Sequence, residues 1–246
     1  MNAESDPLLT VEGVSHAFGD IVAVDSVSFE VQPASLVAIV GPNGSGKTTI
    51  LRAMVGLLDH DEGSVERPTT AVGRPIGYLP QQPRFRPGFT ARETLVFYTR
   101  LAGVETSVAD ELLARVGLEG AGSIRVDHLS GGMLGLLGIA QALIGDPPIV
   151  ILDEPTTGLD PGMRRHIFGV VTQLADEGQG VVIASHDLEL VERHADSVLV
   201  LDRGRLVAEG SPEALKGRYD VGSLEAVFDS ATETEAGAVD VARRIS

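Results

Sequence analysis

The sequence contains no cysteine, and lysine occurs at only two of its 246 positions. The absence of cysteine excludes a disulfide framework, a thiolate zinc site and a cysteine nucleophile. The longest run without a charged residue, 129–145, is shorter than the roughly 20 residues that a membrane-spanning helix needs. The N-terminal residues are acidic and lack the apolar stretch of a secretory signal. We therefore expect a soluble, cytoplasmic chain.

Acidic residues outnumber basic ones by 35 to 19, which gives a formal net charge of −16. This charge argues against broad contact with a nucleic-acid backbone, which needs clustered lysine and arginine. A surface rich in carboxylates suits concentrated salt, because cations screen the repulsion between them. We therefore expect a halophilic source. A GC-rich genome is the alternative, but it explains only the missing lysines and not the net charge.

Short apolar runs alternate with helical segments, which is typical of an α/β fold with a mainly parallel sheet and right-handed crossovers. The runs that predict buried strands of this sheet are 36–40, 76–79, 149–152, 181–184 and 198–201. Two earlier strands, 8–14 and 24–31, predict a leading antiparallel β subdomain. The chain is therefore expected to form one domain, residues 8–228.

Two parts of the chain depart from this alternation. The stretch from about 84 to 146 has no buried-strand run, and apolar residues at helical spacing between 91 and 116 predict an inserted helical subdomain. The last residues, 229–246, are polar and acidic with small apolar residues, and they predict a flexible tail.

A glycine-rich segment between a predicted buried strand and a helix fits the pattern G-x-x-x-x-G-K-[ST]. It consists of Gly41, Pro42, Asn43, Gly44, Ser45, Gly46, Lys47 and Thr48, followed by Thr49. Glycines allow backbone N–H groups to converge on phosphates, and the helix N-terminus adds its positive dipole end. Lys47 would reach the β- and γ-phosphates, and the Thr48 hydroxyl would ligate Mg²⁺. The segment predicts a P-loop NTPase.

The apolar run that begins at Ile149 ends in two carboxylates, Asp153 and Glu154. At the carboxyl end of a strand beside a phosphate loop, Asp153 would hold Mg²⁺ through water and Glu154 would accept a proton from an attacking water. In isolation, such residues more often simply end a strand. Their order after a phosphate loop favours the functional interpretation.

The segment Leu129-Ser130-Gly131-Gly132-Met133 precedes that strand by about 20 residues. Alone it would predict a helix N-cap. With the two preceding motifs, the chain from about 8 to 215 resembles the ATP-binding subunits of ABC transporters, which carry a phosphate loop, an L-S-G-G-Q signature and a D-E strand in this order. The resemblance implies that Ser130, Gly131 and Gly132 bind the γ-phosphate of ATP held by an opposite subunit. It also implies a homodimer or heterodimer, and a separate membrane permease that holds the chain on the inner face of the cell membrane.

Further positions match the family one at a time. Phe18 resembles the aromatic residue that stacks on adenine, with His16 as the alternative. Gln81 resembles the glutamine that contacts Mg²⁺ and the attacking water, and Gln82 beside it leaves the register open. Asp160 belongs to a loop that crosses the dimer interface in this family. His186 resembles the histidine that contacts the γ-phosphate.

The fifth signature position is Met133 rather than Gln, a variant associated with drug, antibiotic and copper-linked export systems in the family. The next residues, Leu134, Gly135 and Leu136, replace the polar and basic residues of relatives with this Met. Two readings of this helix stay open: it is unusually buried, or its first turn meets an apolar partner. Met133 and Glu93 favour an exporter, although transport direction resides in the membrane subunit.

Two other function classes remain as alternatives. A nucleic-acid-linked ATPase of the same family would carry coiled coils, basic clamps or tandem cassettes, and this sequence has none. A regulatory subunit without hydrolytic activity draws support only from the altered residues after Met133.

Overall fold

A computed structural model describes residues 6–69 and 74–232 of the chain. The strands are β1 (Leu9–Phe18), β2 (Ile21–Val31), β3 (Ser35–Val40), β4 (Glu62–Glu66), β5 (Ile76–Leu79), β6 (Ile149–Asp153), β7 (Gly180–Ala184), β8 (Ser197–Asp202) and β9 (Arg205–Gly210). The helices are α1 (Lys47–Val55), α2 (Ala91–Leu101), α3 (Val108–Arg115), α4 (Gly131–Ala142), α5 (Pro161–Asp176), α6 (Leu188–His194) and α7 (Pro212–Tyr219). A last helical segment covers 224–232.

These elements belong to two compact units of the chain. The first unit contains β5, β6, most of β7 and the helices α2 to α5. The second contains most of β1, β2, β3 and β4, together with β8, β9, α1, α6 and α7. The predicted fold class is confirmed: parallel strands with flanking helices, plus a separate antiparallel sheet, form an α/β P-loop NTPase.

In the first unit, β5 and β6 pair in parallel, from Ile76 opposite Ile149 to Leu79 opposite Leu152. Strand β7 lies on the other side of β6. Every residue of β6 and β7 is buried, which explains their uninterrupted apolar runs. Because parallel strands end at the same edge of a sheet, the residues that follow Leu79 and Leu152 emerge next to each other.

In the second unit, β3 pairs in parallel with β8, and β8 pairs antiparallel with β9. Strands β2, β1 and β4 form the separate three-stranded sheet in that order. The chain leaves the buried end of β3 at Val40 and enters α1 at Lys47, so the glycine-rich segment connects a strand to a helix as predicted.

The apolar helix α4 is buried along most of its length in the first unit, which favours the first reading of its sequence. Its glycines permit close packing. A Cβ on Gly138 would lie 2.4 Å from Cδ1 of Leu79, and one on Gly135 would lie 3.6 Å from the carbonyl oxygen of Pro155. Met133 and Leu134 in the first turn are half-buried.

The described chain departs from the sequence expectations in a few elements. Helix α2 ends at Leu101 and α3 begins at Val108, because Gly103 between them has a φ of +70°, which interrupts the helical pattern. Strand β4, strand β9 and helix α7 were not predicted. Between β5 and β6 the described residues form helices and turns with one isolated bridge, Thr90 to Arg125.

The predicted tail begins at 229, inside the helical segment 224–232. Its remaining residues, 233–246, lie outside the described part of the chain.

Candidate functional site

The phosphate loop, residues 41–48, lies in the second unit between β3 and α1. Gly46 forms the N-cap of α1 with a φ of 103°, in the left-handed region that favours glycine. A Cβ on Gly46 would lie 2.3 Å from the carbonyl oxygen of Ala23, so both the backbone and the space require glycine. The first N–H groups of α1 have no acceptor within the helix and, with the positive end of its dipole, suit an anion.

Lys47 and Ser45 form the polar interior of this loop. The Lys47 ammonium is buried and donates to the carbonyl oxygens of Gly41 at 2.8 Å and Pro42 at 3.2 Å. The buried hydroxyl of Ser45 has no hydrogen-bond partner among the described residues. Such an unpaired group costs about 1–3 kcal/mol, and a phosphate oxygen would accept a hydrogen bond from it.

The rest of the predicted phosphate-binding residues surround this interior. Gly41 is buried, and a Cβ there would lie 2.3 Å from the carbonyl oxygen of Leu201. The exposed tip of the loop and the half-buried start of the helix are formed by Pro42, Asn43, Gly44, Thr48 and Thr49.

The two aromatic candidates for adenine stacking differ in exposure. Phe18, at the end of β1, is 52% exposed, whereas the His16 side chain is only 11% exposed. Their rings meet edge to face with centroids 4.6 Å apart, and Nδ1 of His16 lies 3.5 Å from Oδ2 of Asp61. An open ring face is what stacking on a base requires, so the geometry favours Phe18.

His186 belongs to the second unit and follows β7. Its side chain is exposed, while its neighbour Ser185 is held by a hydrogen bond from its N–H to the carbonyl oxygen of Ile39 at 3.1 Å. The Ser185 hydroxyl accepts the N–H of Asp187 at 3.0 Å, which fixes the short connection to α6.

In the first unit, Gln81 and Glu154 meet at the carboxyl edge of β5 and β6. Nε2 of Gln81 donates to Oε2 of Glu154 at 2.9 Å, and the Thr157 hydroxyl donates to the same oxygen at 3.2 Å. This hydrogen bond favours Gln81 over Gln82 as the predicted glutamine. The two donors orient this carboxylate, and a carboxylate in a fixed orientation can act as a general base.

The backbone of Glu154 adds a second sign of a functional position. Its φ is 51°, in the left-handed region that few residues other than glycine adopt. Such a conformation costs about 1–3 kcal/mol and occurs preferentially at active sites. Asp153, which ends the buried strand β6, is 1% exposed.

The signature segment and the Asp160 loop also belong to the first unit. The hydroxyl of Ser130 caps α4 by accepting the N–H of Met133 at 3.2 Å. Oδ1 of Asp160 caps α5 by accepting the N–H groups of Gly162 and Met163 at 2.9 and 3.0 Å. Ser130 and Gly131 are exposed, whereas Gly132 is buried against Met163. No sequence pattern indicates a role for Met163 or predicts the Thr157–Glu154 hydrogen bond.

Glu93 has a local structural role. Its carboxylate accepts the N–H of Thr90 at 2.8 Å, while the Thr90 hydroxyl accepts the N–H of Glu93, which together form a capping box at the start of α2. The hydrogen bond from the Thr90 backbone lowers the pKa of Glu93. This capping role explains the presence of a glutamate at position 93, so Glu93 does not indicate a transport direction.

The predicted metal ligands are a hydroxyl, an amide and a carboxylate, on Thr48, Gln81 and Asp153. Among the residues that the structure describes, no three His, Cys, Asp or Glu side chains cluster as they do in an all-protein metal site. Oxygen donors with only one or two carboxylates suit Mg²⁺, which is usually held together with substrate phosphates. The donor chemistry therefore fits this ion. Within the same described ranges, no helix is long and apolar enough to cross a membrane.

Comparison with known families gives one clear match. Residues 24–157 match the family model described as "ABC transporter". The Nod factor export ATP-binding protein I of Rhizobium etli is 39% identical over 217 residues, which cover 82% of this chain and 67% of that protein. The protein of the same name from Bradyrhizobium diazoefficiens is 37% identical over 222 residues, covering 86% and 72%.

Solved structures of similar fold agree with this match. An ATP-binding subunit of an ABC transporter superposes with a TM-score of 0.79 at 26% identity, covering 91% of this chain and 99% of that one. A dimeric ATP-binding cassette in a post-hydrolysis state with ADP and Pi superposes with a TM-score of 0.73 at 26% identity, covering 82% and 98%.

Proposed function

The chain belongs to the ATP-binding family of ABC transporters, and on this basis we propose roles for its individual residues. It is an ATP-binding and ATP-hydrolysing subunit of a transporter, the motor for a separate membrane component. Hydrolytic activity sets aside the regulatory alternative.

The hydrogen-bonded carboxylate of Glu154 is the observation that carries the proposed mechanism. Gln81 and Thr157 both donate to its Oε2, and these hydrogen bonds fix its orientation. A carboxylate held in this way accepts a proton from a water as that water attacks the γ-phosphate. Gln81 then acts as a second group that orients the water, and His186 contacts the γ-phosphate.

The phosphate loop binds the nucleotide in this proposal. Lys47, whose ammonium lies beside the carbonyl oxygens of Gly41 and Pro42, contacts the β- and γ-phosphates. The Ser45 hydroxyl gains the acceptor that it lacks. The backbone N–H groups of residues 43–49 surround the phosphates, and Phe18 stacks on adenine.

Mg²⁺ accompanies the nucleotide. Thr48, Gln81 and Asp153 would hold it, directly or through water, and the bound ion would neutralise charge on the phosphate oxygens. Thr48 supplies its hydroxyl from the first turn of α1, and Asp153 supplies a carboxylate withdrawn from bulk solvent.

Each site is completed by a second ATP-binding subunit. Ser130 and Gly131 are exposed at the start of α4, where the helix N-terminus favours an anion. We assign them, with Gly132 and Asp160, to the ATP held by the partner subunit. The partner is a second copy of this chain or a related subunit.

The transporter is proposed to be an exporter. The curated relatives are named for export of Nod factors, and Met133 at the fifth signature position agrees with export systems. The membrane subunit would hold the chain on the cytoplasmic face through the region around Gln81 and the helical stretch 84–146. Residues 8–228 would form the ATP-binding domain, with residues 229–246 as a tail, and the net charge of −16 supports a halophilic source.

Glu154→Gln tests the mechanism directly. The amide keeps an oxygen for Gln81 and Thr157 but cannot take a proton at neutral pH, so hydrolysis is expected to stop while ATP still binds. Two subunits with trapped ATP should then persist as a dimer. Size-exclusion chromatography with light scattering, in Mg·ATP and in Mg·ADP, measures this state.

A dimer that forms in Mg·ATP but not in Mg·ADP, and that Ser130→Arg abolishes, supports the shared sites. Full hydrolytic activity of Glu154→Gln would contradict the assigned base. A dimer that forms equally without nucleotide would contradict ATP as the bridging ligand.

A further inference from the structure

The signature segment and the loop that carries Asp160 meet at Gly132 and Met163. An ideal Cβ on Gly132 would lie 2.4 Å from Cγ of Met163 and 2.9 Å from its Sδ and Cε. Real Cβ atoms do not approach other atoms so closely, so Met163 packs directly on the backbone of α4. Gly132 is buried and Met163 is half-buried.

Space, rather than backbone conformation, favours glycine at this position, because an alanine methyl group would force the Met163 side chain to move. Gly132 is not among the residues with positive φ, so its helical backbone would accept any L-residue. Gly135 lies three residues further along the same face of α4. An ideal Cβ on Gly135 would lie 3.8 Å from Cδ1 of Ile167. Met163 and Ile167 lie one turn apart on α5, so two glycines of α4 face two apolar side chains of α5.

Both helices are fixed at the ends that meet. Ser130 caps α4, and Asp160 caps α5 through the N–H groups of Gly162 and Met163. A side chain of Leu159, just before that cap, lies 3.7 Å from the ideal Cβ of Gly131. Gly131 and Gly132 therefore pack against Leu159 and Met163, the side chains on either side of Asp160.

We infer that Met163 is a positioning residue for the shared ATP site: its side chain sets the signature segment against the Asp160 loop, so that the two segments move together when the dimer closes. Met163 touches neither nucleotide nor reacting atoms. The inference rests on the proposed role of Ser130, Gly131 and Gly132 toward the partner's ATP. Misplacing a binding segment by about 1 Å is enough to cost about 100-fold in rate.

The contact can be tested by a size swap, in which the side chain at Gly132 is enlarged and the side chain at Met163 is shortened in the Glu154→Gln background. Gly132→Ala should lower the dimer association constant in Mg·ATP by about tenfold or more, because the new methyl group displaces Met163. In a Met163→Ala background, Gly132→Ala should have no further effect on this constant, since Cγ, Sδ and Cε are gone. Analytical ultracentrifugation measures the association constant.

Met163→Leu is the matched control. Leucine retains a Cγ and a similar volume, so Met163→Leu alone should dimerise like its parent, and Gly132→Ala should remain impaired in its presence. The ATP affinity of monomeric Met163→Leu and Met163→Ala, measured by fluorescent-nucleotide titration, should match that of the parent. A merely structural role would change the melting temperature without changing the dimer constant of the folded protein.

The outcomes separate this inference from the proposed function. If Glu154→Gln itself forms no ATP-dependent dimer, the proposed shared site fails. The melting temperature then tests the contact itself: a decrease caused by Gly132→Ala that is as large in the Met163→Ala background as in the parent would overturn the inference as well. If the parent dimerises and Gly132→Ala weakens dimerisation as much in the Met163→Ala background as in the parent, then Gly132 faces the ligand itself and the inference is overturned.

Discussion

Lys47 illustrates how much depends on one side chain. It is one of two lysines in the chain, and its buried ammonium is already held by two carbonyl oxygens of the loop that it is proposed to serve. We expect Lys47→Ala to weaken ATP binding by at least tenfold, because a charged hydrogen bond is worth about 1.5–3 kcal/mol. Isothermal titration calorimetry with Mg·ATP measures the affinity.

The second lysine is the control for this change. Lys216 on α7 donates to Glu192 and Glu213 at 2.8 and 2.7 Å, and these hydrogen bonds raise its pKa. Lys216→Ala removes the same charge from a structural pair and should leave ATP affinity unchanged. ATP affinity of Lys47→Ala within a few-fold of the parent would contradict the phosphate-loop assignment.

Phe18 is the test of base recognition. The exposed ring is free to stack, so Phe18→Ala should weaken ATP binding by about 1–3 kcal/mol, while Phe18→Tyr should keep the affinity. His16→Ala serves as the comparison, because that side chain is mostly buried. Titration with ATP and with inorganic triphosphate, which lacks the base, distinguishes stacking from a general loss of binding. A larger loss in His16→Ala would transfer the role to His16.

At the scale of elements, α4 shows why intrinsic helix propensity is a poor guide here. Two glycines inside a helix each cost about 1 kcal/mol relative to alanine. In the folded unit, however, Gly138 faces Leu79 so closely that a Cβ would lie 2.4 Å from its Cδ1. The close approach of helix and strand offsets the propensity cost.

This geometry predicts opposite effects on stability for glycine-to-alanine substitutions in α4 and α5. Gly138→Ala should destabilise the protein by about 1–3 kcal/mol, the usual cost of overpacking a core. Gly169→Ala on α5, where a Cβ meets nothing within 4 Å, should stabilise it by up to about 1 kcal/mol. Urea denaturation measures both. Stabilisation by Gly138→Ala would contradict the close contact with Leu79.

At the scale of the whole molecule, the net charge of −16 predicts a dependence of stability on salt. Carboxylate repulsion favours unfolding at low salt, and the Debye length falls to about 3 Å at 1 M. The melting temperature should therefore rise as KCl increases from low to molar concentration. Differential scanning calorimetry in KCl, with sucrose as a non-ionic comparison, measures it.

A charge-reduced variant sharpens this test. Glu62 and Glu66 are exposed on β4, so replacing both with Gln removes two negative charges without disturbing the core. The rise in melting temperature with KCl should become smaller in this variant. A melting temperature that does not change with KCl in the parent would remove the support for a halophilic source.

The sequence alone predicts the alternation of buried strands and helices, although not β4, β9 or α7, and it locates the phosphate loop, the carboxylate pair and the signature segment. These features are local: glycine at left-handed positions, an apolar run in a fully buried strand and an N-cap such as Ser130 act over a few neighbouring residues. The break between α2 and α3 was missed although Gly103 was visible, because a single glycine does not reveal its φ.

Which side chains meet depends on the packing of elements that are distant in the sequence. The hydrogen bond between Gln81 and Glu154 joins residues 73 positions apart, and it selects Gln81 over its neighbour. The ring of Phe18 is exposed whereas that of His16 is mostly buried, which the sequence does not reveal. Packing against Met163 explains the glycine at position 132, which its helical backbone conformation does not require. Contacts of this kind depend on how whole elements pack. A pattern within a short window of sequence does not encode the distance between side chains on different elements.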